Sequence, residues 1–278
     1  MRKVMSLIVY AYLLLGCIAA PTRSNVGSVH QRFVQQETGD VWYVTDGLMA
    51  MYDGIYNAGM GLHDDTLNGW VDLINGNNAV DSGYGGTFEI FDDHYIFNVG
   101  SMNGAGCGVL KANIGEIVVY HIEVVYDVIR GGRIDDQGKY IDDNACAPLG
   151  LCMFGNRQLM LDNNGNGSGN IACGYGHTQY VHYGDGPFVP RTYAATMTGG
   201  WPLLSAIYVN GVAYTAFSYG QWSGNTQPYE TGRLFIGYKW FTWLPKVRVF
   251  CIRLYGRKLT ALEVEFNHSV DVARFGIE

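Results

Sequence analysis

The sequence is short of charge. Only 15% of its 278 residues are Asp, Glu, Lys or Arg, and 18 basic residues stand against 25 acidic ones, a net charge of −7. Without a basic stripe the phosphate backbone of a nucleic acid has no electrostatic footprint to bind. Lys and Glu are too sparse for long helical bundles or coiled coils. Beyond residue 20 there is no second apolar run long enough to span a bilayer. The nucleophile elbow G-x-S-x-G, the zinc motif H-E-x-x-H and the phosphate loop G-x-x-x-x-G-K-[ST] are absent, and so is any C-x-x-C pair. H-x-E occurs at His121-Ile122-Glu123, but the P-C-x-x-C that a zinc deaminase requires does not follow.

Glycine and aromatic residues are abundant instead. There are 38 glycines, and 20 Tyr, 12 Phe and 6 Trp. With 48% apolar residues, a buried core is affordable and wholesale disorder is excluded. Many short β-prone runs, divided by Gly, Asn and Asp, predict a mostly β chain.

Residues 1–20 have the layout of a secretory signal peptide: Arg2 and Lys3, then an apolar run to Ala20. Leu14-Leu15-Gly16-Cys17 resembles a bacterial lipobox, which implies cleavage before Cys17 and lipidation of its thiol. Ordinary cleavage near Ala19 or Ala20 is the alternative. Either route predicts export, as a cell-surface or outer-membrane lipoprotein or as a secreted protein. Residues 21–40 are polar and aperiodic, a linker or irregular lead-in, and 41–278 form the domain. Five cysteines remain after Cys17: Cys107, Cys146, Cys152, Cys173 and Cys251. The number is odd, so at least one is unpaired or pairs between chains. Cys146 and Cys152 bracket a short Pro-Gly loop and are the first pair to expect, beside the alternative of small buried hydrophobes.

About a dozen strands are expected. Thr87–Phe91 and Tyr95–Val99 flank a turn at Asp92-Asp93, and residues 100–108 read as loop. The stretch 114–129 is the longest β-branched run. In it Val119, His121, Glu123 and Val125 share a face. Residues 131–151 read as an insertion or long loop. Asn210-Gly211 between apolar runs is the strongest hairpin signal. One helix is predicted, capped by Thr260 and Glu263, running to about Val272 with Leu262, Phe266 and Val270 inward. Strands without βαβ alternation predict an all-β, two-sheet jelly-roll sandwich with one short C-terminal helix.

Four segments carry a family resemblance. The stretch 249–276 contains Arg253, Tyr255, Arg257, Leu259, Thr260, Glu263, Asn267, Asp271, Arg274 and Phe275 in the pattern R-x-Y-x-R-x-L, cap, N-x-x-x-D-x-x-R-F. Residues 47–53 (GLMAMYD), Trp70-Val71-Asp72-Leu73 with Asn75-Gly76-Asn77, and Ile207 to Gly211 with Leu234 to Gly237 follow in the same order. Together they resemble laminin-G-like domains of the concanavalin A-like lectin/glucanase superfamily. The resemblance spans about residues 41–276 and matches poorly between about 100 and 190. It implies a jelly roll, and in many relatives a calcium near the rim. It does not assign an activity, since lectins, glycosidases and adhesion modules share the fold. From the residues alone, Arg253 and Asp271 read as a structural ion pair, and Tyr255, Leu259, Phe266 and Phe275 as core.

Retaining glucanases of that superfamily carry E-x-D-x-x-E on one strand, which is missing here; Glu89, Asp92 and Asp93 come nearest with the wrong spacing. Asp162, Asn164 and Asn166 open like a calcium loop, D-x-N-x-N-G, but a plain hairpin turn uses the same residues. His63, Asp64 and Asp65 are a second calcium candidate. The segment 214–243 sets aromatic rings among Gly, Ser, Asn and Gln. Flat rings stack on the CH faces of sugars, and amides bond their hydroxyls. Trp222 and Tyr219, with Gln221 and Asn225 as polar fixers and Trp201 beside Pro202, are therefore the candidate carbohydrate-binding residues. The reading is a non-catalytic, exported carbohydrate-binding or adhesion module whose partner is a glycan or other cell-surface ligand. No cofactor is required, and calcium is the candidate ion. A glycoside hydrolase on the same fold and a structural cell-surface or virion contact module are the alternatives.

Overall fold

The computed structural model describes residues 42–277 apart from 103–106, 116–118, 130–145, 154–156, 165–167, 174–177, 186–188, 198–203, 215–217, 221–231 and 240–245. The signal-peptide and lipobox readings, Cys17 included, and the lead-in of residues 21–40 lie outside the described residues. In chain order the strands are β1 (Leu48–Asp53), β2 (Gly69–Trp70), β3 (Ala79–Asp81), β4 (Gly85–Phe91), β5 (His94–Met102), β6 (Cys107–Asn113), β7 (His121–Ile129), β8 (Cys146–Met153) and β9 (Arg157–Asn164). They continue as β10 (Ser168–Cys173), β11 (Thr178–Asp185), β12 (Arg191–Met197), β13 (Leu204–Val209), β14 (Val212–Tyr214), β15 (Ser218–Gly220), β16 (Arg233–Lys239) and β17 (Lys246–Tyr255). Helix α1 (Ala261–Phe275) closes the chain.

Among the described residues all the strand pairings are antiparallel, and they build two sheets. One runs β14-β13-β12-β7-β17-β5-β4, with β1 also paired to β17. The other runs β15-β11-β10-β9-β8-β16-β6-β3-β2. The architecture is the expected two-sheet sandwich with one C-terminal helix.

The long run 114–129 shows how sequence sets the layers. Ile122, Val124 and Tyr126 of β7 are buried in the core between the sheets. His121, Glu123 and Val125 alternate with them and are also fully buried. Val125 belongs to a second apolar cluster with Tyr43, Met51, Cys251, Tyr255, Val264 and Phe275, beneath α1. This sheet is covered on both faces at its centre, which explains a near-continuous apolar run in place of strict alternation.

Turns follow their residues. Asn210 (φ 51°) and Gly211 (φ 75°) both take the left-handed conformation that a two-residue hairpin demands, and they join β13 to β14. Asp72 organises the Trp-x-Asp-Leu element: its carboxylate accepts the backbone N–H groups of Met51, Ile74, Asn75 and Asn77 at 2.9–3.2 Å. Trp70 beside it lies flat on Tyr95, with ring centroids 4.2 Å apart, and donates its indole N–H to the Asp53 carbonyl.

Several expectations need correction. The segment 100–108 is not all loop, because β5 extends to Met102 and β6 begins at Cys107. The expected insertion at 131–151 ends in strand β8, laddered along β16. Cys146 and Cys152 both lie on that one strand. Six residues of extended backbone hold Cα atoms about 20 Å apart, whereas a disulfide needs about 4.4–6.8 Å, so these two are not a pair. Cys251 is a buried free thiol, and burial pushes its pKa up. Leu262 is not inward: it is 76% exposed. The helix turns Val264, Asn267, Val270, Asp271 and Phe275 inward and continues to Phe275, where Gly276 (φ 63°) caps it.

The predicted capping box is present. Glu263 N–H donates to Thr260 Oγ1 at 3.3 Å, and the Glu263 carboxylate accepts the Thr260 N–H at 2.7 Å. Arg257 Nη2 adds an ion pair at 2.6 Å. Burial alone would raise the Glu263 pKa, but the bonds from Arg257 and Thr260 outweigh it and hold the carboxyl near 2, below its ordinary 4.5. A depressed pKa means that this stabilisation is complete above about pH 4.5 and is lost as pH falls towards 2. Glu263→Gln is therefore expected to cost about 1 kcal/mol at pH 7, with the deficit shrinking as pH falls towards 2. Urea midpoints of both proteins at pH 7 and pH 3 check this; an equal deficit at both would contradict it.

Candidate functional site

A polar layer lies between α1 and the sheet beneath it, built from the residues of the C-terminal motif. Arg253 is fully buried on β17. Its Nη1 and Nη2 bind Asp271 of α1 at 2.6 and 2.7 Å, and its Nε binds Glu123 of β7 at 2.8 Å. The Tyr43 ring lies 4.0 Å from the guanidinium carbon. Around this centre Tyr43 and Thr192 donate hydroxyls to Asp271, and Asn267 donates to Glu123 and to the Tyr255 hydroxyl. His121 places one ring nitrogen 3.3 Å from Glu123 and the other 2.7 Å from Thr196. Burial would raise the Glu123 pKa, but Arg253 and His121 hold it below the ordinary range. Both carboxylates at this centre, Glu123 and Asp271, are thus bonded to Arg253 and to side-chain donors. The layer fastens β7, β12, β17, α1 and residues 42–44 to one another; the Arg253–Asp271 pair is structural, as expected. Arg274 works similarly at the helix end, bonded to buried Asp53 at 2.6 Å and lying over Trp42 and Tyr56.

The predicted ligand residues are differently placed. Gln221, Trp222, Asn225 and Trp201 lie outside the described residues. Tyr219 is on β15, the outermost strand of the nine-stranded sheet, paired in register with Gln179 of β11. Gln221 to Asn225 follow directly along the chain. Asp162 and Asn164 lie in β9, opposite Asn170 and Ser168 of β10. The segment is a hairpin, and Asn166 falls outside the described residues. In the other calcium candidate, Asp64 Oδ1 accepts both the N–H and the hydroxyl of Thr66, and His63 Nε2 is 3.7 Å from Asp65. Asn57, fully buried, pins this loop by bonding the Asp64 backbone in both directions. Among the described residues no three His, Cys, Asp or Glu side chains converge as a metal would require.

One arrangement escaped the sequence reading. Strand β17 pairs with β5 at Val247 to Val249 and then with β1 from Cys251 onward. On its other side the register against β7 slips between Val249 and Cys251, so Phe250 is an extra, bulged residue. Gly54, just past β1, donates its N–H to the Phe250 carbonyl at 2.8 Å. A Cβ on Gly54 would lie 2.2 Å from the Asp93 carbonyl oxygen, so only glycine allows β1 to end against the β4–β5 turn. Beside this seam His94 stacks on Phe91, with ring centroids 4.8 Å apart, and the Phe250 ring lies tilted to it at 5.0 Å. Its Nδ1–H donates to Asp93 Oδ1 at 2.6 Å. Arg248 grips Asp127 through Nε and Nη2, with its guanidinium carbon 5.4 Å from the Phe250 ring. The nearest sequence signal was EIFDDH, read only as a misspaced carboxylate motif and a turn.

Neither a family model nor a curated protein matches the sequence. Solved structures do resemble the fold. Trypanosoma rangeli sialidase in complex with sialic acid superposes with a TM-score of 0.52 at 15% identity, covering 96% of this chain and 38% of the sialidase. A second structure of Trypanosoma rangeli sialidase gives 0.53 at 16% identity, over 96% of this chain and 38% of its own. An HCR/D mutant gives 0.52 at 9% identity, covering 82% of this chain and 52% of its own. The chain thus spans little more than a third of the sialidase and about half of HCR/D. At these identities the likeness establishes a shared β-sandwich frame.

Proposed function

We propose that the chain is a non-catalytic carbohydrate-binding module of the laminin-G-like type, exported and displayed at a surface or secreted. The observation that carries the reading is the run Tyr219, Gln221, Trp222 and Asn225, which leaves the edge strand of a lectin-like sandwich. Trp222 and Tyr219 supply rings for the CH face of a sugar, Gln221 and Asn225 bond its hydroxyls, and Trp201 adds a further ring. The sialidase that shares the frame was solved with sialic acid, which supports a saccharide as ligand. The polar layer adds support: Glu123 and Asp271 are fully buried and bonded to Arg253, so they offer no exposed carboxylate pair to a saccharide. Asp162, Asn164 and Asn166 are the proposed site of a supporting calcium ion, and a lipid on Cys17 is the proposed anchor.

Trp222→Ala is expected to weaken glycan binding at least tenfold, in line with the contribution of a buried aromatic anchor, while leaving the thermal midpoint unchanged. Titration of one saccharide into both proteins measures it. Unchanged affinity for every saccharide bound by the parent would remove the basis of the reading.

A further inference from the structure

The seam at Phe250 has the makings of a ligand site that the aromatic segment 214–243 does not include. Its side chains are fixed before any ligand arrives. His94 is stacked on Phe91, touches Phe250 and is oriented by Asp93, and Arg248 is held by both oxygens of Asp127. Orientation of this kind lowers the entropic cost of binding. Part of the cluster is open to solvent: Phe91 is 40% exposed and the side chains of Asp93 and Arg248 are 40% and 31% exposed, while His94 keeps 14%. Among the described residues, Arg248 Nη1 and His94 Nε2 make no hydrogen bond. A planar donor, an imidazole nitrogen, a carboxylate acceptor and an aromatic surface therefore meet within one cross-strand neighbourhood.

The register extends the surface. Glu89, Ile96, Arg248 and Asp127 form one row across β4, β5, β17 and β7. Lys246 pairs with Glu89 at 3.4 Å on the same face. Two cations here, Lys246 and Arg248, face three carboxylates, Glu89, Asp93 and Asp127. Each cation is already matched, so the face offers no excess positive charge to an anionic ligand. Matched donor–acceptor pairs beside a ring suit hydroxyl groups, each of which donates and accepts.

We propose that this seam binds an uncharged sugar. Arg248 donates to a hydroxyl oxygen, His94 Nε2 and Asp93 accept hydroxyl hydrogens, and Phe91 packs on the CH face. The bulged Phe250 is the shared neighbour, its ring 5.0 Å from the His94 ring and 5.4 Å from the Arg248 guanidinium carbon. The proposal rests on the glycan-binding reading and assigns it a site of its own, separate from Trp222.

The test uses the full chain and four probes: the methyl glycosides of galactose, glucose and mannose, and sialyllactose. Saturation-transfer NMR and calorimetric titration are run on the parent and on Phe91→Ala, His94→Ala, Arg248→Lys and Trp222→Ala. Phe91 is exposed, so its variant retains the fold; thermal midpoints verify this for each protein. The expected result is saturable binding of a neutral glycoside, weakened at least tenfold by Phe91→Ala and by His94→Ala. Arg248→Lys weakens it several-fold, since lysine lacks the planar fork, and Trp222→Ala leaves this binding in place while weakening the separate binding event at the aromatic segment. Loss in Trp222→Ala alone would overturn this site while leaving the glycan reading intact. Binding of sialyllactose only would overturn the uncharged ligand. No binding of any probe would overturn both.

Discussion

Arg253→Met is expected to destabilise the protein by about 3–5 kcal/mol, the cost of leaving buried charges without their partner. The guanidinium satisfies Glu123 and Asp271 at once, at 2.6–2.8 Å, and all three side chains are fully buried. Methionine fills much of the volume, so the loss reports charge and not a cavity. Glu123 and Asp271 would then have to take up protons or draw in water. Chemical denaturation at pH 7 measures the effect, which is large against the few kcal/mol by which most domains are stable. A second protein separates the causes. Replacing Arg253, Glu123 and Asp271 together by apolar residues removes every orphaned charge and should recover much of the loss. If the triple variant is no better than Arg253→Met, the ion pairs are not what the single variant loses.

Trp70→Ala is expected to cost about 3–5 kcal/mol through a different mechanism, the cavity left by a large buried ring. Trp70 is 1% exposed and touches Tyr52, Tyr95 and Phe97 in the core between the sheets. Its indole N–H also satisfies the Asp53 carbonyl, which would be left without that donor. Trp70→Phe should recover a large part of the packing and none of the hydrogen bond. A loss below about 1 kcal/mol for Trp70→Ala would mean that the core collapses around the gap, against the tight stacking seen here.

These two sites show why part of the fold was legible and part was not. The C-terminal motif could be read because its residues are spaced along one strand and one helix: Arg253, Asn267 and Asp271 meet through local geometry. The Asn210-Gly211 hairpin and the Thr260 cap were legible for the same reason, since each depends on a few adjacent residues. The phase of α1 departs from its apolar spacing because its buried face includes polar side chains. Leu262, Phe266 and Val270 make an apolar row, but the buried stripe includes Asn267 and Asp271, drawn inward by Arg253 and Glu123. A polar side chain with a buried partner defeats a rule based on hydrophobic spacing.

The cysteine pair failed on a similar point. Pro148 and Gly150 looked like a loop, yet the ladder to β16 holds Cys146 to Met153 extended. Tertiary pairing overrode local turn chemistry. The seam was least legible. Gly54, His94, Asp127, Arg248 and Phe250 are scattered through the sequence, and only the change of partner along β17 brings them together.

We propose that this sandwich binds saccharide without turning it over. A glycan-array screen of the purified protein, run with calcium and again with chelator, tests it most directly. The prediction is saturable binding to one glycan class with the glycan recovered intact, and loss on chelation would place calcium in support of the site. Absence of binding under both conditions, or cleavage of the bound glycan, would contradict the claim.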